Sequence, residues 1–234
     1  MPLPAPFPPR PSPAVVRALR VHAARTSWWL HTRAPDLAKR ALDLALVLPA
    51  LVLLLPLFML VALAIWLGDR GPVLYWQQRV GRDGRVFRFP KFRSMRTDAD
   101  QARQQLLAGN QHGSQGVTFK MRHDPRITRV GRFIRRTSID ELPQLWNVLR
   151  GDMSLVGPRP PLCSEVARYT QAQRERLGVT PGLTCIWQVS GRSDVPFPQQ
   201  VEMDIAYIRQ RSLGTDLALL ARTVPAVVKG RGAY

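Results

Sequence analysis

RRTSIDELPQL, residues 135–145, is the most informative segment of this sequence. Two arginines in it are followed by two adjacent carboxylates, Asp140 and Glu141. A second segment, MSLVGPRP at residues 153–160, holds Arg159 between two prolines. Apolar residues at helical spacing follow the carboxylates, namely Leu142, Leu145, Val148 and Leu149. This pattern predicts a helix that begins close to the two carboxylates.

The position of Pro143 indicates where this helix begins. Proline has no N–H group and is favoured in the first helical turn. Ser138 and Glu141 have the spacing of a capping box, but a cap at Ser138 would place Pro143 in the second turn, so we expect Asp140 at or near the N-cap. Both carboxylates would then lie at the positive end of the helix, where an anion is favoured by about 0.3–1 kcal/mol. A purely structural role for the capping Asp and the arginines also explains this segment by itself.

The charge balance of the whole chain indicates an anionic partner. The 234 residues include 34 Lys or Arg and 16 Asp or Glu, for a formal net charge of +18. Nucleic acid, an acidic membrane surface and phosphorylated substrates are all compatible with this excess. The two cysteines, Cys163 and Cys185, match no metal-ligand spacing and predict neither a disulfide framework nor a zinc site.

Residues 44–67 form an apolar run without a charge, and this length is typical of a membrane segment. Residues 10–40 carry seven Lys or Arg and one acid, and residues 70–96 carry eight and one. Basic flanks stay on the cytoplasmic side, so a re-entrant hairpin that enters and leaves by one face satisfies both flanks. Pro56, preceded by Leu55, lies at the middle of the run and predicts the break between two helical arms. A kinked spanning helix is the alternative.

The segments before and after this run have different expected structures. Residues 1–38 are rich in Pro and Arg, and we expect this extension to be partly disordered or an interfacial helix. After the run, two short apolar segments flank Arg82-Asp83-Gly84-Arg85, which predicts a β-hairpin. Lys91 and Arg93 follow at the base of that hairpin. The expected fold class is therefore α+β, mainly helical with a small β-hairpin.

Together these motifs resemble the bacterial sugar transferases, the monotopic phosphoglycosyl transferases that act on polyprenyl phosphate. The resemblance runs from about Lys39 to Tyr234 and rests on several motifs in a fixed order. These motifs are Lys39-Arg40-Ala41-Leu42-Asp43, Lys91-Phe92-Arg93-Ser94-Met95, residues 135–145, residues 153–160, Thr180-Pro181-Gly182-Leu183-Thr184 and Gly232-Ala233-Tyr234. Members of the family often have Ser before the hairpin proline, whereas this chain has Leu55. The missing hydroxyl leaves the predicted break with one fewer group to bond freed backbone.

The resemblance implies that the chain transfers sugar-1-phosphate from a UDP-sugar to undecaprenyl phosphate, with UMP as the second product. It implies that Asp140 forms a covalent aspartyl-phosphosugar, that Glu141 assists, and that Mg²⁺ is bound at these two carboxylates. Cations would offset the charge of the diphosphate, and the residues expected to bind substrate are Arg135, Arg159, Pro158, Lys91, Arg93 and, on the nucleotide-sugar side, Arg192. Such a step initiates exopolysaccharide, O-antigen or glycoconjugate synthesis, ahead of downstream glycosyltransferases.

This interpretation divides the chain into the extension at residues 1–38, the re-entrant helix at 39–69 and a catalytic domain at 70–234. The expected location is the cytoplasmic face of the bacterial inner membrane, with no nucleic-acid partner. The sequence resembles the catalytic unit without the extra N-terminal membrane domain of the long family members. The alternative is a non-catalytic, membrane-anchored basic protein that binds anionic lipid or nucleic acid. The sugar and the oligomeric state do not follow from these residues.

Overall fold

The computed structural model describes residues 34–99, 101 and 124–229. The N-terminal extension before residue 34 and the Gly232-Ala233-Tyr234 motif lie outside this part of the chain. The chain divides into two compact units, Met1–Lys39 and Arg40–Tyr234. The described residues belong to the second unit, apart from the first turns of the leading helix. Our division into extension, membrane helix and catalytic domain stays a prediction.

The described residues are mainly helical and carry a small antiparallel β-hairpin, which confirms the expected secondary-structure content. The α-helices are α1 (Ala34–Asp69), α2 (Arg129–Arg136), α3 (Leu145–Arg150), α4 (Cys163–Val166), α5 (Gln171–Arg174), α6 (Ile186–Ser190), α7 (Phe197–Gln210) and α8 (Leu213–Lys229). The strands are β1 (Leu74–Val80), β2 (Val86–Phe92), β3 (Ser154–Val156) and β4 (Gly182–Thr184). A core of residues from α1, the hairpin, α3, β3, α7 and α8 joins these elements.

Helix α1 is one uninterrupted α-helix of 36 residues that contains both Pro49 and Pro56. At ~1.5 Å per residue it is about 54 Å long, and it is long and apolar enough to cross a membrane. Only 11% of its most apolar window is buried, whereas the core helix of a soluble protein is mostly buried. The helix shows no gap at Leu55 and Pro56, so the re-entrant hairpin stays a prediction that requires a bend at Pro56.

Two polar side chains of α1 attach this helix to the segment that leads to Arg159. The Asp43 carboxylate is buried and accepts a hydrogen bond of 3.0 Å from the Leu155 N–H at the centre of β3. Arg40 donates hydrogen bonds to the carbonyls of Val148 and Leu149, the latter at 2.6 Å. These carbonyls belong to the last turn of α3, where a cation is favoured. The motif around Asp43 therefore positions α1 against α3 and β3.

The predicted hairpin is confirmed, and both of its strands are longer than the sequence indicated. Strands β1 and β2 pair antiparallel with Tyr75 opposite Lys91. Asp83 and Gly84 turn the chain with φ values of 56° and 81°, the left-handed conformation that Asp-Gly adopts readily. Because directly paired residues point to the same face, Lys91 shares a face with Tyr75 and with every second residue of β1.

A second, parallel pair of strands was not predicted. Strand β3 pairs with β4, with Ser154 opposite Gly182. Just beyond β3 the two chains pass backbone to backbone, because a Cβ atom placed on Gly182 would lie 2.0 Å from the Gly157 nitrogen. The Gly182 N–H also donates a hydrogen bond of 2.9 Å to the Pro158 carbonyl. This close approach fixes the backbone directly before Arg159.

Candidate active site

The two adjacent carboxylates lie in the first turn of a 3₁₀ segment, Ile139–Gln144, that leads directly into α3. Ser138 precedes this segment in a left-handed conformation with φ 58°, and its side chain makes no capping hydrogen bond. Ser138 is therefore the N-cap of this segment, and Asp140 lies two residues after it, near the cap as we expected but not at it. With Ser138 as the cap, Pro143 lies in the second turn, a position that we had excluded for an α-helix. That exclusion does not apply here, because Pro143 belongs to the 3₁₀ segment and the α-helix begins only after Gln144.

Glu141 is tied to two cations from distant parts of the chain. The Lys91 ammonium donates to Glu141 Oε1 at 2.8 Å, and Arg159 donates to Oε1 at 2.6 Å and to Oε2 at 3.3 Å. Burial opposes ionisation of this carboxyl, but Arg159 and Lys91 outweigh it and hold the pKa of Glu141 well below its usual range. Glu141 is therefore an anion at neutral pH and keeps both cations in place.

Asp140 has a different environment from its neighbour. It is 7% exposed, and no hydrogen bond to its carboxylate comes from the part of the chain that the structure describes. Burial, with the nearby Glu141 charge, raises the pKa of Asp140 to about 6, against the opposing effect of Lys91, Arg135 and Arg159. At neutral pH Asp140 is thus an ionised, desolvated carboxylate that no hydrogen bond occupies, which is the state required of a nucleophile.

Both carboxylates face a cavity of about 830 Å³. Most residues that the sequence predicted for the site line this cavity, namely Asp140, Glu141, Lys91, Arg93, Arg135, Arg159 and Arg192. Arg192 has a left-handed backbone conformation with φ 52°. Burial lowers the pKa of Arg192, and the charges of Glu141 and Asp140 act in the opposite direction. Pro158 is buried and positions Arg159 rather than facing the cavity itself.

Arg93, unlike Lys91 and Arg159, is bound by a carboxylate outside the Asp140–Glu141 pair. Its guanidinium is 6% exposed and forms an ion pair with Asp69, the last residue of α1. Asp69 therefore offsets the charge of Arg93. Its role as a phosphate ligand stays a prediction, and binding through the paired nitrogen would require this ion pair to open.

The cavity also contains residues that we did not predict. Gln77 and Arg79 on β1 line it next to Lys91. Their place in the site could have been predicted from the alternation of side chains along a strand, because both residues lie on the face of the hairpin that holds Lys91. Tyr169 and Arg176 also line it, and Arg176 pairs with Asp204 and donates a hydrogen bond of 3.2 Å to the Tyr169 hydroxyl. No local pattern brings together these residues, which come from separate segments.

The donor set fits a magnesium ion only if substrate supplies part of the coordination. The described residues contain no group of three or more His, Cys, Asp or Glu side chains that could hold a metal. Both oxygens of Glu141 are already bound by cations, so Asp140 is the carboxylate available to a metal. Mg²⁺ is commonly held by one or two carboxylates together with phosphates and water. The residues are thus compatible with a metal that binds with the phosphorylated substrate.

Comparison with known proteins places this geometry in a family context. The chain is 51% identical over 166 residues to the galactosyl transferase CpsE of Streptococcus agalactiae, an overlap of 70% of this chain and 36% of that protein. It is 40% identical over 200 residues to the exopolysaccharide production protein ExoY of Rhizobium meliloti, covering 85% and 88% of the two chains. A UDP-glucose:undecaprenyl-phosphate glucose-1-phosphate transferase of Caulobacter vibrioides is 41% identical over 209 residues, covering 86% and 73%.

The overlap differs in extent among the relatives. The chain spans less than half the length of several of them, namely 36%, 41% and 43% of three. The model of the bacterial sugar transferase family matches residues 34–230. This match covers α1, the hairpin, the carboxylate pair and the loop that carries Arg159. The chain therefore belongs to the bacterial sugar transferase family.

Proposed function

We propose that this protein transfers sugar-1-phosphate from a UDP-sugar to undecaprenyl phosphate, giving undecaprenyl-diphosphate-sugar and UMP. The observation that carries the proposal is the unequal pair of carboxylates. Asp140 is buried and receives no hydrogen bond from the described residues, whereas Glu141 binds Lys91 and Arg159 beside it. One relative, whose name specifies both UDP-glucose and undecaprenyl phosphate, supports the choice of substrates.

In this proposal the reaction has two displacement steps at one phosphorus atom. In the first step, an Asp140 oxygen attacks the sugar-proximal phosphorus, the bond from that phosphorus to UMP breaks, and UMP leaves with the electron pair. In the second step, an oxygen of the lipid phosphate attacks the same phosphorus, and the bond to Asp140 breaks. Asp140 is thereby restored as a carboxylate. Dividing one difficult displacement into two is the general advantage of a covalent intermediate.

The residues around Asp140 supply the electrostatic part of this mechanism. The Asp140 carboxylate repels the diphosphate of the substrate, so positive charge close to the phosphate groups is required for the two to come together. Arg159 and Lys91 carry that charge and are oriented by Glu141, which therefore acts as an organiser with both oxygens engaged. Arg135 and Arg192 line the same cavity and extend its positive wall. A magnesium ion bound by Asp140 with the substrate would add Lewis-acid stabilisation of the phosphate charge.

We also propose that the protein acts at the cytoplasmic face of the bacterial inner membrane. Its long apolar helix exposes large side chains along most of its length, among them Leu53 at 78% and Val52, Met59 and Leu60 at 66%. Lipid tails would cover this surface, and the acceptor phosphate would lie at the same interface. In the re-entrant arrangement, α1 bends at Pro56 and returns to the cytoplasmic face. The product would pass to downstream glycosyltransferases that extend the lipid-linked sugar.

The direct test is a transfer assay with the purified full chain in lipid nanodiscs, undecaprenyl phosphate, Mg²⁺ and a panel of radiolabelled UDP-sugars. We expect lipid-linked label and released UMP in equal amounts, and loss of both in Asp140→Asn. Quenching the wild type during turnover should leave a phosphosugar on the peptide that contains residue 140. Full activity of Asp140→Asn would contradict the covalent role. Absence of transfer with every sugar, together with tight binding to anionic vesicles, would favour the non-catalytic alternative.

A further inference from the structure

The cavity contains a guanidinium, that of Arg79, which forms no direct ion pair with a carboxylate of the described residues. Arg79 donates Nε and Nη2 to Gln77 Oε1 at 2.9 and 2.6 Å, and Nη1 to the Pro160 carbonyl at 3.0 Å. Both of these acceptors are neutral. Other cations line the same cavity and do pair with carboxylates, namely Lys91 and Arg159 with Glu141, Arg93 with Asp69 and Arg176 with Asp204.

This guanidinium is held in a fixed position near the carboxylate pair. Its central carbon lies 5.1 Å from the centre of the Phe89 ring, and the Lys91 ammonium lies 5.4 Å from the same centre. The backbone of β1 is joined to the Arg159 loop, because the Val80 N–H donates a hydrogen bond of 2.9 Å to the Pro161 carbonyl. Strand and loop therefore bring Arg79, Lys91 and Arg159 to one wall of the cavity.

The charge of Arg79 is permanent at neutral pH. Burial and the nearby positive charge of Arg159 lower the pKa of Arg79 to about 10, against the opposing effect of the Glu165 and Glu141 charges, and the group is still protonated at pH 7. Arg79 is half-buried and forms no direct ion pair among the described residues, and natural structures normally pair such a cation or place it where a ligand supplies the opposite charge. Three of its N–H groups are used by Gln77 and Pro160, and each terminal nitrogen carries a second N–H that remains for a ligand.

We propose that Arg79 is a second phosphate-binding residue beside Arg159, oriented for that role by Gln77 and the Pro160 carbonyl. The identity of the ligand rests on the proposed function, whose two substrates both bring phosphate into this cavity. The diphosphate of the nucleotide sugar and the phosphate of the lipid acceptor offer the same chemistry to a guanidinium. A planar guanidinium held by neutral acceptors suits phosphate oxygens well, because the fork is oriented and no carboxylate of the described residues occupies its remaining N–H groups.

The first experiment measures phosphate binding without relying on turnover. Inorganic pyrophosphate is titrated into the detergent-solubilised full chain by calorimetry, for the wild type, Arg79→Gln and Arg88→Gln. Arg88 is a matched control, since it is exposed on β2 of the same hairpin and does not line the cavity. Loss of a charge-assisted hydrogen-bond donor should weaken binding in Arg79→Gln by about 10- to 100-fold. Arg88→Gln should bind as the wild type does.

The second experiment distinguishes the two sources of phosphate by steady-state kinetics. A rise in KM for the UDP-sugar alone would assign Arg79 to the donor diphosphate, and a rise for undecaprenyl phosphate alone would assign it to the acceptor. Arg79→Lys retains the charge but not the fork, so it should fall between the wild type and Arg79→Gln. A folded Arg79→Gln protein with unchanged pyrophosphate affinity and both KM values unchanged would overturn the proposal.

A third measurement uses only the wild type and therefore does not depend on the folding of a variant. Saturating pyrophosphate should slow phenylglyoxal modification of Arg79, quantified by mass spectrometry of its peptide, while modification of Arg88 continues at the same rate. Equal rates at Arg79 with and without pyrophosphate would also overturn the proposal. A wild type that transfers no sugar but protects Arg79 would refute the proposed function and leave the phosphate site standing.

Discussion

Replacing Asp140 by Asn should stabilise the protein at neutral pH while it abolishes transfer. The pKa of Asp140 is raised by burial from 3.8 to about 6 in the folded chain. A raised carboxyl pKa means that the folded state binds the proton of Asp140 more tightly than the unfolded state does. The contribution of this group to folding stability is therefore complete below pH 3.8, and it is lost as the pH rises through 6. A rise in pKa from 3.8 to about 6 corresponds to roughly 3 kcal/mol at pH 7. Asparagine has nearly the same shape and no charge to desolvate, so it removes this penalty.

The expected gain depends on pH in a way that a simple packing effect would not reproduce. For the same two pKa values, the gain falls to about 1 kcal/mol at pH 4.5. Around 3 kcal/mol corresponds to a rise in Tm of roughly 6–12 °C for a chain of this size, which scanning fluorimetry in detergent can measure. Asp83→Asn is the matched control, because Asp83 is 71% exposed in the hairpin turn and its replacement should change Tm little at either pH.

Two outcomes would refute this reasoning. One is a lower Tm for Asp140→Asn than for the wild type at pH 7, which would mean that the ionised carboxylate is stabilised rather than strained where it lies. The other is the same gain at pH 7 and pH 4.5, which would mean that ionisation is not its source. Stability gained at the expense of activity is expected where a site holds a charge in an unfavourable position.

Three other predictions follow from the same structure. The value of kcat/KM for the UDP-sugar should decrease as the pH is lowered, with a midpoint at about pH 6. Glu141→Gln should move that midpoint to lower pH, because the Glu141 charge helps to raise the pKa of Asp140. An unmoved midpoint would contradict this. Gly182→Ala should prevent folding or activity, because a Cβ atom at this position would lie 2.0 Å from the Gly157 nitrogen. Gly68→Ala should be tolerated, because a Cβ atom there would have no neighbour within 4 Å. A fully active Gly182→Ala protein would show that β3 and β4 can separate freely. Cysteines introduced near residue 30 and at Gln78, in a background without Cys163 and Cys185, should both react with a thiol reagent from the cytoplasmic side; labelling from opposite sides would exclude the re-entrant arrangement.

Local sequence patterns predicted the elements whose causes are local. Asp83-Gly84 requires positive φ values, and the hairpin follows from that requirement. The uncharged run at residues 44–67 predicted a long apolar helix, and α1 contains it completely. The pattern also predicted a helix beginning near Asp140, and a 3₁₀ segment does begin there, at Ile139, while the α-helix α3 begins only at Leu145.

Features that depend on distant segments could not be predicted in the same way. The pairing of β3 with β4 joins residues 154–156 to 182–184, and neither segment has the length or alternation that identifies a strand by itself. Lys91 reaches Glu141 across 50 residues and Arg159 reaches it across 18. The sequence predicted these residues as members of one site only through the family resemblance. Their arrangement, with Glu141 bound and Asp140 without a partner among the described residues, required the fold.

The 3₁₀ geometry explains how two neighbouring carboxylates acquire opposite environments. Successive side chains of a 3₁₀ segment point about 120° apart, so Glu141 can face Lys91 and Arg159 while Asp140 faces another side of the cavity. Pairs of titratable groups whose surroundings push their pKa values in opposite directions are a recurrent sign of divided chemical roles. Here the lowered pKa belongs to Glu141, which organises the cations, and the raised pKa belongs to Asp140, which has no hydrogen-bond partner for its carboxylate among the described residues. Exchanging the two residues, as Asp140→Glu with Glu141→Asp, preserves composition and net charge but alters the reach of each carboxylate. If the geometry of this turn governs the division of roles, the exchanged protein should fold, bind pyrophosphate and fail to form the covalent adduct.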